Sequence, residues 1–150
     1  MEQIEIRKAG IEDVQAIYGL VKELALFEKA PEEVSSRFED FVQNGFQENP
    51  IFAANLIYYE GKLAGFSLWY FRFSTWKGKR FYLEDLFIKE EYRSLGLGKM
   101  LLDEAVLEAK RTNCTGMMWQ VLDWNEAAIQ FYSKYGVKFD QGWLNVHLDI

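Results

Sequence analysis

The chain switches between two hydrophobic periods, and each switch marks an element. Ile4 and Ile6 alternate with Glu5 and Arg7, which predicts a short strand with one buried face, closed by Gly10. From Ile11 to Glu28 the apolar positions fall three and four apart. Ile17, Val21, Leu24 and Ala25 form a stripe, and Glu12 and Asp13 sit at the positive end of the dipole, so a helix is expected. Pro31 breaks it. Ser36 with Glu39 three residues on predicts a capping box and a second, shorter helix through about Asn44, stopped by Gly45. Residues 51–60 and 62–73 are β-rich runs hinged at Gly61, the pattern of an antiparallel hairpin, and Ser74 to Lys79 reads as a loop.

A short apolar run from Tyr82 to Ile88 predicts a buried strand that carries two acids, Glu84 and Asp85. Residues 89–93 are polar and turn-like. Leu97, Leu101 and Ala105, flanked by Leu102, Val106 and Ala109, then repeat at helical spacing. Gly116 precedes an apolar run from Met117 to Leu122. Asp123 or Asn125 can cap a helix from Glu126 to Tyr135, which Gly136 terminates. A last strand is expected at about Trp143 to Leu148. The order is βααβββαβαβ, an α/β chain with a mixed sheet and helices on both faces.

Composition narrows the class. A chain of 150 residues suits one domain, 1–150, able to bury about two-thirds of its unfolded surface. Hydrophobic content of 49% supplies an ample core and argues against disorder. A net charge of −6 argues against non-specific nucleic-acid binding and is compatible with a cationic substrate. The single cysteine, Cys114, can form no intrachain disulfide and reads as structural. No apolar run approaches the roughly 20 residues of a membrane span, and the acidic N-terminus lacks a signal-peptide core. A cytoplasmic location is the expectation.

The candidate chemistry lies around the run from Tyr82 to Lys110. A strand, a turn with Gly96 and Gly98, and a helix start together make an anion cradle. Residues without side chains let the backbone approach a ligand, and the first helical N–H groups have no intrahelical partner. Arg93 can add charge-assisted hydrogen bonds. Two glycines at a helix start also make an ordinary tight turn, and the residues alone leave both readings open. The pattern is neither a P-loop, since no Lys-Ser/Thr pair follows Gly98, nor a dinucleotide fingerprint.

Arg93-x-x-Gly96-x-Gly98 after an apolar strand resembles the acetyl-CoA signature of the GCN5-related N-acetyltransferases. Tyr82-Leu83-Glu84-Asp85, Tyr92-Arg93, Trp124-Asn125-Glu126 and Phe131-Tyr132 resemble the spermidine/spermine (diamine) and thialysine acetyltransferase branch, with similarity from Ile6-Arg7 to Trp143. The resemblance implies a mostly antiparallel sheet of about six or seven strands. The central strand and its neighbour would splay to admit the pantetheine arm along Leu86, Phe87 and Ile88. It implies acetyl-CoA as co-substrate, held by Arg93, Ser94, Leu95, Gly96, Leu97, Gly98 and Lys99, with Asn125, Ala128 and Tyr132 contributing. It also implies a homodimer. Acetyl transfer itself requires no metal, and the sequence lacks a His/Cys cluster with metal spacing. Phe27, Glu28, Trp76 and Trp143 match positions near the amine site in that branch, and core packing is an equal reading for each aromatic.

N-acetylation needs a neutral amine, a polarised thioester carbonyl and a proton for the departing thiolate. Glu84 is the candidate base. An alkylammonium and a carboxylate differ by about six pKa units, so it would act through a water or with a raised pKa, and it can equally serve as an anchor for the substrate cation. Regular alternation puts Asp85 on the opposite face, for substrate binding or a structural bond; a bulge would alter that. Tyr132, two helical turns after Asn125, is the candidate acid. Asn125 is either a cofactor contact or a plain N-cap. Trp143 is followed by His147, read as structural. The expected activity is acetyl transfer to a primary amine of a small molecule, a polyamine or a lysine analogue such as thialysine, in a ternary complex. The alternatives are a protein or peptide N-acetyltransferase and a non-catalytic acyl-CoA-binding module.

Overall fold

A computed structural model describes residues 2–150. The chain divides into two compact units, residues 1–120 and 121–150. The first holds a five-stranded sheet in the order β1-β2-β3-β4-β5, formed by Ile4–Lys8, Ala53–Tyr59, Lys62–Ser74, Gly78–Ile88 and Gly116–Met118. The first four strands pair antiparallel in sequence order, and β5 pairs parallel to β4. Helices α1 (Val14–Phe27), α2 (Phe38–Gly45) and α3 (Leu97–Arg111) cover it.

The periodicities decide which helix covers which face. Ile17 and Leu20 of α1 and Phe41 of α2 pack with Leu56, Phe66, Leu68 and Phe87 on one face. Leu97 and Leu101 of α3 pack with Ile57, Ala64, Leu86 and Ile88 on the other. Successive strand residues thus feed opposite cores, and β2, β3 and β4 read as continuous apolar runs because both faces are buried. The β2–β3 turn places Glu60 and Gly61 at φ 49° and 79°. Two left-handed residues in succession suit the right-handed twist of a hairpin, and glycine takes one of them without strain.

Three sequence expectations change. The second helix starts one residue later than the Ser36 cap implies: the Asp40 carboxylate accepts from the Arg37 N–H at 2.8 Å, and Arg37 is the N-cap. A carboxylate reaching back three residues satisfies an orphan amide as well as the expected pair would. The run from Met117 to Leu122 forms a strand only at Gly116–Met118. The segment from Trp143 to Leu148 forms no strand, so the described sheet has five strands rather than six or seven. A strand needs a neighbour's backbone groups, and here Trp143, Leu144, Val146 and Leu148 are exposed. None of the described helices is long and apolar enough to cross a membrane.

The link from β1 to α1 is electrostatic. Arg7 meets Asp13 through two hydrogen bonds of 2.8 Å, and the Asp13 carboxylate also accepts from the Gly10 N–H at 2.8 Å. The guanidinium holds the Asp13 carboxyl below the usual carboxylate range.

Leu101 is fully buried at the centre of the α3 stripe, whereas Leu107 is 49% exposed on the same helix. Leu101→Ala should therefore cost about 2–5 kcal/mol in urea unfolding, against about 0.5 kcal/mol or less for Leu107→Ala. Equal costs would contradict the assigned face.

Candidate active site

Two strand features organise the candidate residues of the first unit. The first is a bulge. Tyr70 pairs with Tyr82 and Trp69 with Leu83, but Leu68 pairs with Asp85, so Glu84 is an extra residue in β4. Regular pairing would set Asp85 opposite Ser67 and turn it towards α3. The bulge turns it instead to the face of α1 and α2, beside Glu84. The expected opposite orientation of the two acids is thereby corrected.

The second feature is where β5 stops. Its ladder with β4 runs only from Arg80–Gly116 to Tyr82–Met118, while β4 continues to Ile88. Past Tyr82, no strand among the described residues pairs with the β4 edge that faces β5. Leu86, Phe87 and Ile88 lie along that stretch, with Phe87 packed towards α1 and Leu86 and Ile88 towards α3. Arg93 crosses its end: Nε donates to the Ile88 carbonyl at 3.0 Å, and the guanidinium lies 4.5 Å from the Phe27 ring centre and 5.5 Å from that of Phe87. That contact is new relative to the expected anion contact, and it fixes the base of the loop that follows.

That loop has the geometry of a cradle. Ser94 and Gly96 adopt φ of 66° and 81°. The left-handed value at Ser94 is uncommon for a residue with a side chain, and glycine would take it without strain. The helix ladder begins with the Met100 N–H to the Gly96 carbonyl, 3.2 Å. The N–H groups of residues 94–99 have no protein acceptor among the described residues. Nothing lies within 4 Å of a Cβ built on Gly96, and at Gly98 the one neighbour is Ile88 Cγ1 at 3.8 Å. Open space above a run of unpaired amides, at the positive end of a 15-residue helix, fits a diphosphate. Lys99 is paired along the helix with Asp103 at 2.7 Å.

On the α1/α2 face the carboxylates gather. Burial, then the negative charges of Glu84 and Glu28, push the Asp85 carboxyl up to about 7. Partial desolvation also raises Glu28, which stays exposed at the end of α1. Phe27 packs against Phe87 with ring centres 6.4 Å apart, which brings the end of α1 to β4. The Tyr70 hydroxyl donates to Glu84 Oε1 at 3.1 Å. Burial and the Glu84 charge push Tyr70 up to about 12 and raise Tyr82 as well. A cleft of about 320 Å³, lined by Ile51, Phe52, Leu68, Tyr70 and Phe71, adjoins these groups.

The sequence reading missed Tyr70 and Tyr82 as site residues. Their signal is the register: the Ser74–Gly78 pair at the hairpin turn sets Tyr70 opposite Tyr82, a count that requires the turn to be placed first. Trp76 sits at that turn, 84% exposed, and its core-packing reading is excluded. Trp143, at 76% exposed, is likewise outside any core.

The second unit carries the remaining candidates on α4 (Glu126–Ser133). Asn125 is the N-cap, its side chain accepting from the Ala128 N–H at 3.2 Å, so the capping role is met. Tyr132 is buried, and its ring meets Phe131 at 5.4 Å. His147 is exposed and lies in no strand.

A raised Asp85 has a stability signature. Its folded-state pKa of about 7 lies above the unfolded carboxyl, so the folded state holds the extra proton between about pH 4 and pH 7. Stability should fall as pH rises through that window. Asp85→Asn should melt higher than wild type at pH 8 by about 2–6 °C, a figure discounted for solvent screening, with the gap closing towards pH 5. A lower melting temperature at pH 8 would contradict the strained carboxylate.

Comparison with known proteins agrees with this geometry. Residues 15–137, in both units, match the model of the Acetyltransferase (GNAT) family. A thialysine N-epsilon-acetyltransferase of Sus scrofa is 34% identical over 92% of this chain and 86% of its own. A spermidine/spermine N(1)-acetyltransferase-like protein 1 of Homo sapiens is 33% identical over 95% of this chain and 22% of its own. Among solved structures, a predicted acetyltransferase with acetyl-CoA from Clostridium acetobutylicum superposes with a TM-score of 0.79 at 17% identity, covering 97% of this chain and 96% of that one. The family match and the similar relatives show that the chain belongs to the GNAT acetyltransferase family and is an N-acetyltransferase that uses acetyl-CoA.

Proposed function

We propose that this single N-acetyltransferase domain acetylates a primary amine of a small, cationic molecule, a thialysine-like or polyamine acceptor, by direct attack in a ternary complex. The observation that carries the reading is the clustering of Glu84, Asp85 and Glu28 on the face of the strand whose far end leads into the amide cradle. An ammonium group lowers the electrostatic cost of three neighbouring carboxylates. The names of the thialysine and spermidine/spermine relatives support the same acceptor class. An exposed Trp76 and half-exposed Phe27 offer aliphatic contact to the acceptor's chain.

In this reading the amides of residues 94–99 hold the diphosphate, with Arg93 bracing the loop from the Ile88 carbonyl. The free edge of β4 from Leu83 to Ile88 pairs with the pantetheine arm, and Asn125 sets the start of α4 below it in sequence. Glu84 takes the ammonium proton through a water, the amine nitrogen forms the new C–N bond as the C–S bond breaks, and the second proton shed by that nitrogen passes through solvent to the coenzyme A thiolate. Tyr132 hydrogen-bonds the departing thiolate. A phenol is about 1.5 units less acidic than a free thiol, so full transfer is uphill by roughly 2 kcal/mol and a donated hydrogen bond is the smaller demand. Asp85 and Glu28 anchor the charged acceptor. The protein is read as a cytoplasmic homodimer, an assembly favoured by the exposed apolar side chains from Trp143 to Ile150.

The test is thiol release from acetyl-CoA across spermidine, thialysine, free amino acids and lysine peptides. Turnover should be highest with spermidine or thialysine; faster reaction with peptides would replace the small-molecule reading. In the same assay Tyr132→Phe should lower turnover at least tenfold with acetyl-CoA affinity nearly intact. Unchanged turnover would remove Tyr132 from the mechanism.

A further inference from the structure

Glu84 is exposed, and a mobile carboxylate on a bulge has many rotamers to lose before it can take up one proton from one nitrogen. The structure supplies a restraint. Cross-strand pairing sets Tyr70 opposite Tyr82, and the two rings stack with centres 5.1 Å apart at an interplanar angle of 28°. The guanidinium of Arg72 lies 5.5 Å from the Tyr82 ring centre and is itself tied to β5 by a 3.1 Å contact to Met118 Sδ. The Tyr70 ring is thus fixed on a strand and against a neighbour, and its hydroxyl reaches Glu84 Oε1 at 3.1 Å. The bulge makes this reach possible by setting Glu84 outside the regular ladder.

We infer that Tyr70 is a positioning residue for the transfer reaction: its hydroxyl clamps one oxygen of Glu84 and leaves the other directed to the acceptor amine. This rests on the reading of Glu84 as the proton acceptor. The phenol titrates near 12, so it stays a donor through the working pH range. A hydrogen bond donated to one carboxylate oxygen fixes its orientation and leaves the second oxygen to accept. Asp85, whose carboxyl feels the Glu84 charge, is its neighbour on the strand, and Arg72 lies against the Tyr82 ring. Tyr82 supports the ring by stacking against it. Tyr70 also lines the cleft with Leu68 and Phe52, so the same ring walls the acceptor side and holds the base.

The test compares Tyr70→Phe, Glu84→Gln and the double variant in the full-length protein, with the better acceptor of spermidine and thialysine. Tyr70→Phe keeps the stacked ring, and its melting temperature reports that the fold is intact. It should lower kcat about 5- to 30-fold, leave the KM for acetyl-CoA unchanged, and move the acidic limb of the pH profile up by about half to one unit. The double variant should be no slower than Glu84→Gln, because Tyr70 acts through that carboxylate. Wild-type kcat and an unmoved limb in Tyr70→Phe, with Glu84→Gln impaired, would overturn the clamp and leave Glu84 in place. A double variant slower than Glu84→Gln would also overturn it. Full activity in Glu84→Gln would remove the base and the clamp together.

Discussion

Between Leu83 and Asp85, strand β4 takes in one residue more than β3 opposes. Regular pairing would drive the Asp85 side chain into the core under α3, among Leu86, Ile88, Leu97 and Leu101. An unpaired carboxyl there would carry a desolvation cost with no compensating bond. The extra residue turns Asp85 to the other face and leaves the apolar alternation beyond it undisturbed, since Phe87 still packs with Phe66 and Leu86 with α3. Pairing with β5 ends at Tyr82, just before the bulge. One local irregularity thus separates an acidic face from an apolar face and coincides with the opening of a strand edge.

The electrostatics follow from that arrangement. Burial, and then the charges of Glu84 and Glu28, raise the half-buried Asp85 carboxyl. The site therefore favours a positive guest before any specific contact is made. At the far end of the same strand the preference inverts. The α3 amides and helix dipole favour an anion, and the loop bearing them is braced by Arg93 on Ile88. In the proposed function, a cationic acceptor and an anionic donor are directed to different parts of one strand, which orients them before they meet.

Much of this was legible in the sequence. The α3 stripe, Leu97, Leu101 and Ala105 with Leu102 and Ala109 beside it, is buried as its spacing implies. Glu60-Gly61 turned the chain where the glycine indicated. Gly96 marked the turn into α3, at φ 81°, because backbone conformation, unlike packing, is a local property. What the sequence concealed depends on pairing. The bulge at Glu84 has no signature in the order of residues, since a strand with two adjacent acids reads the same with or without it. Tyr70 became visible only once the register set it against Tyr82. The segment from Trp143 to Leu148 alternates as a strand should, but alternation states what a segment can pair with and not whether a partner edge is present.

The most direct measurement is a crystal structure of the protein with a bisubstrate analogue, spermidine joined through an acetyl bridge to the sulfur of coenzyme A. The account predicts the diphosphate on the amides of residues 94–99, the pantetheine along the β4 edge from Leu83 to Ile88, and the polyamine nitrogens beside Glu84 and Asp85. A diphosphate bound away from the start of α3, or a polyamine chain leaving the site on the α3 face of β4, would contradict it.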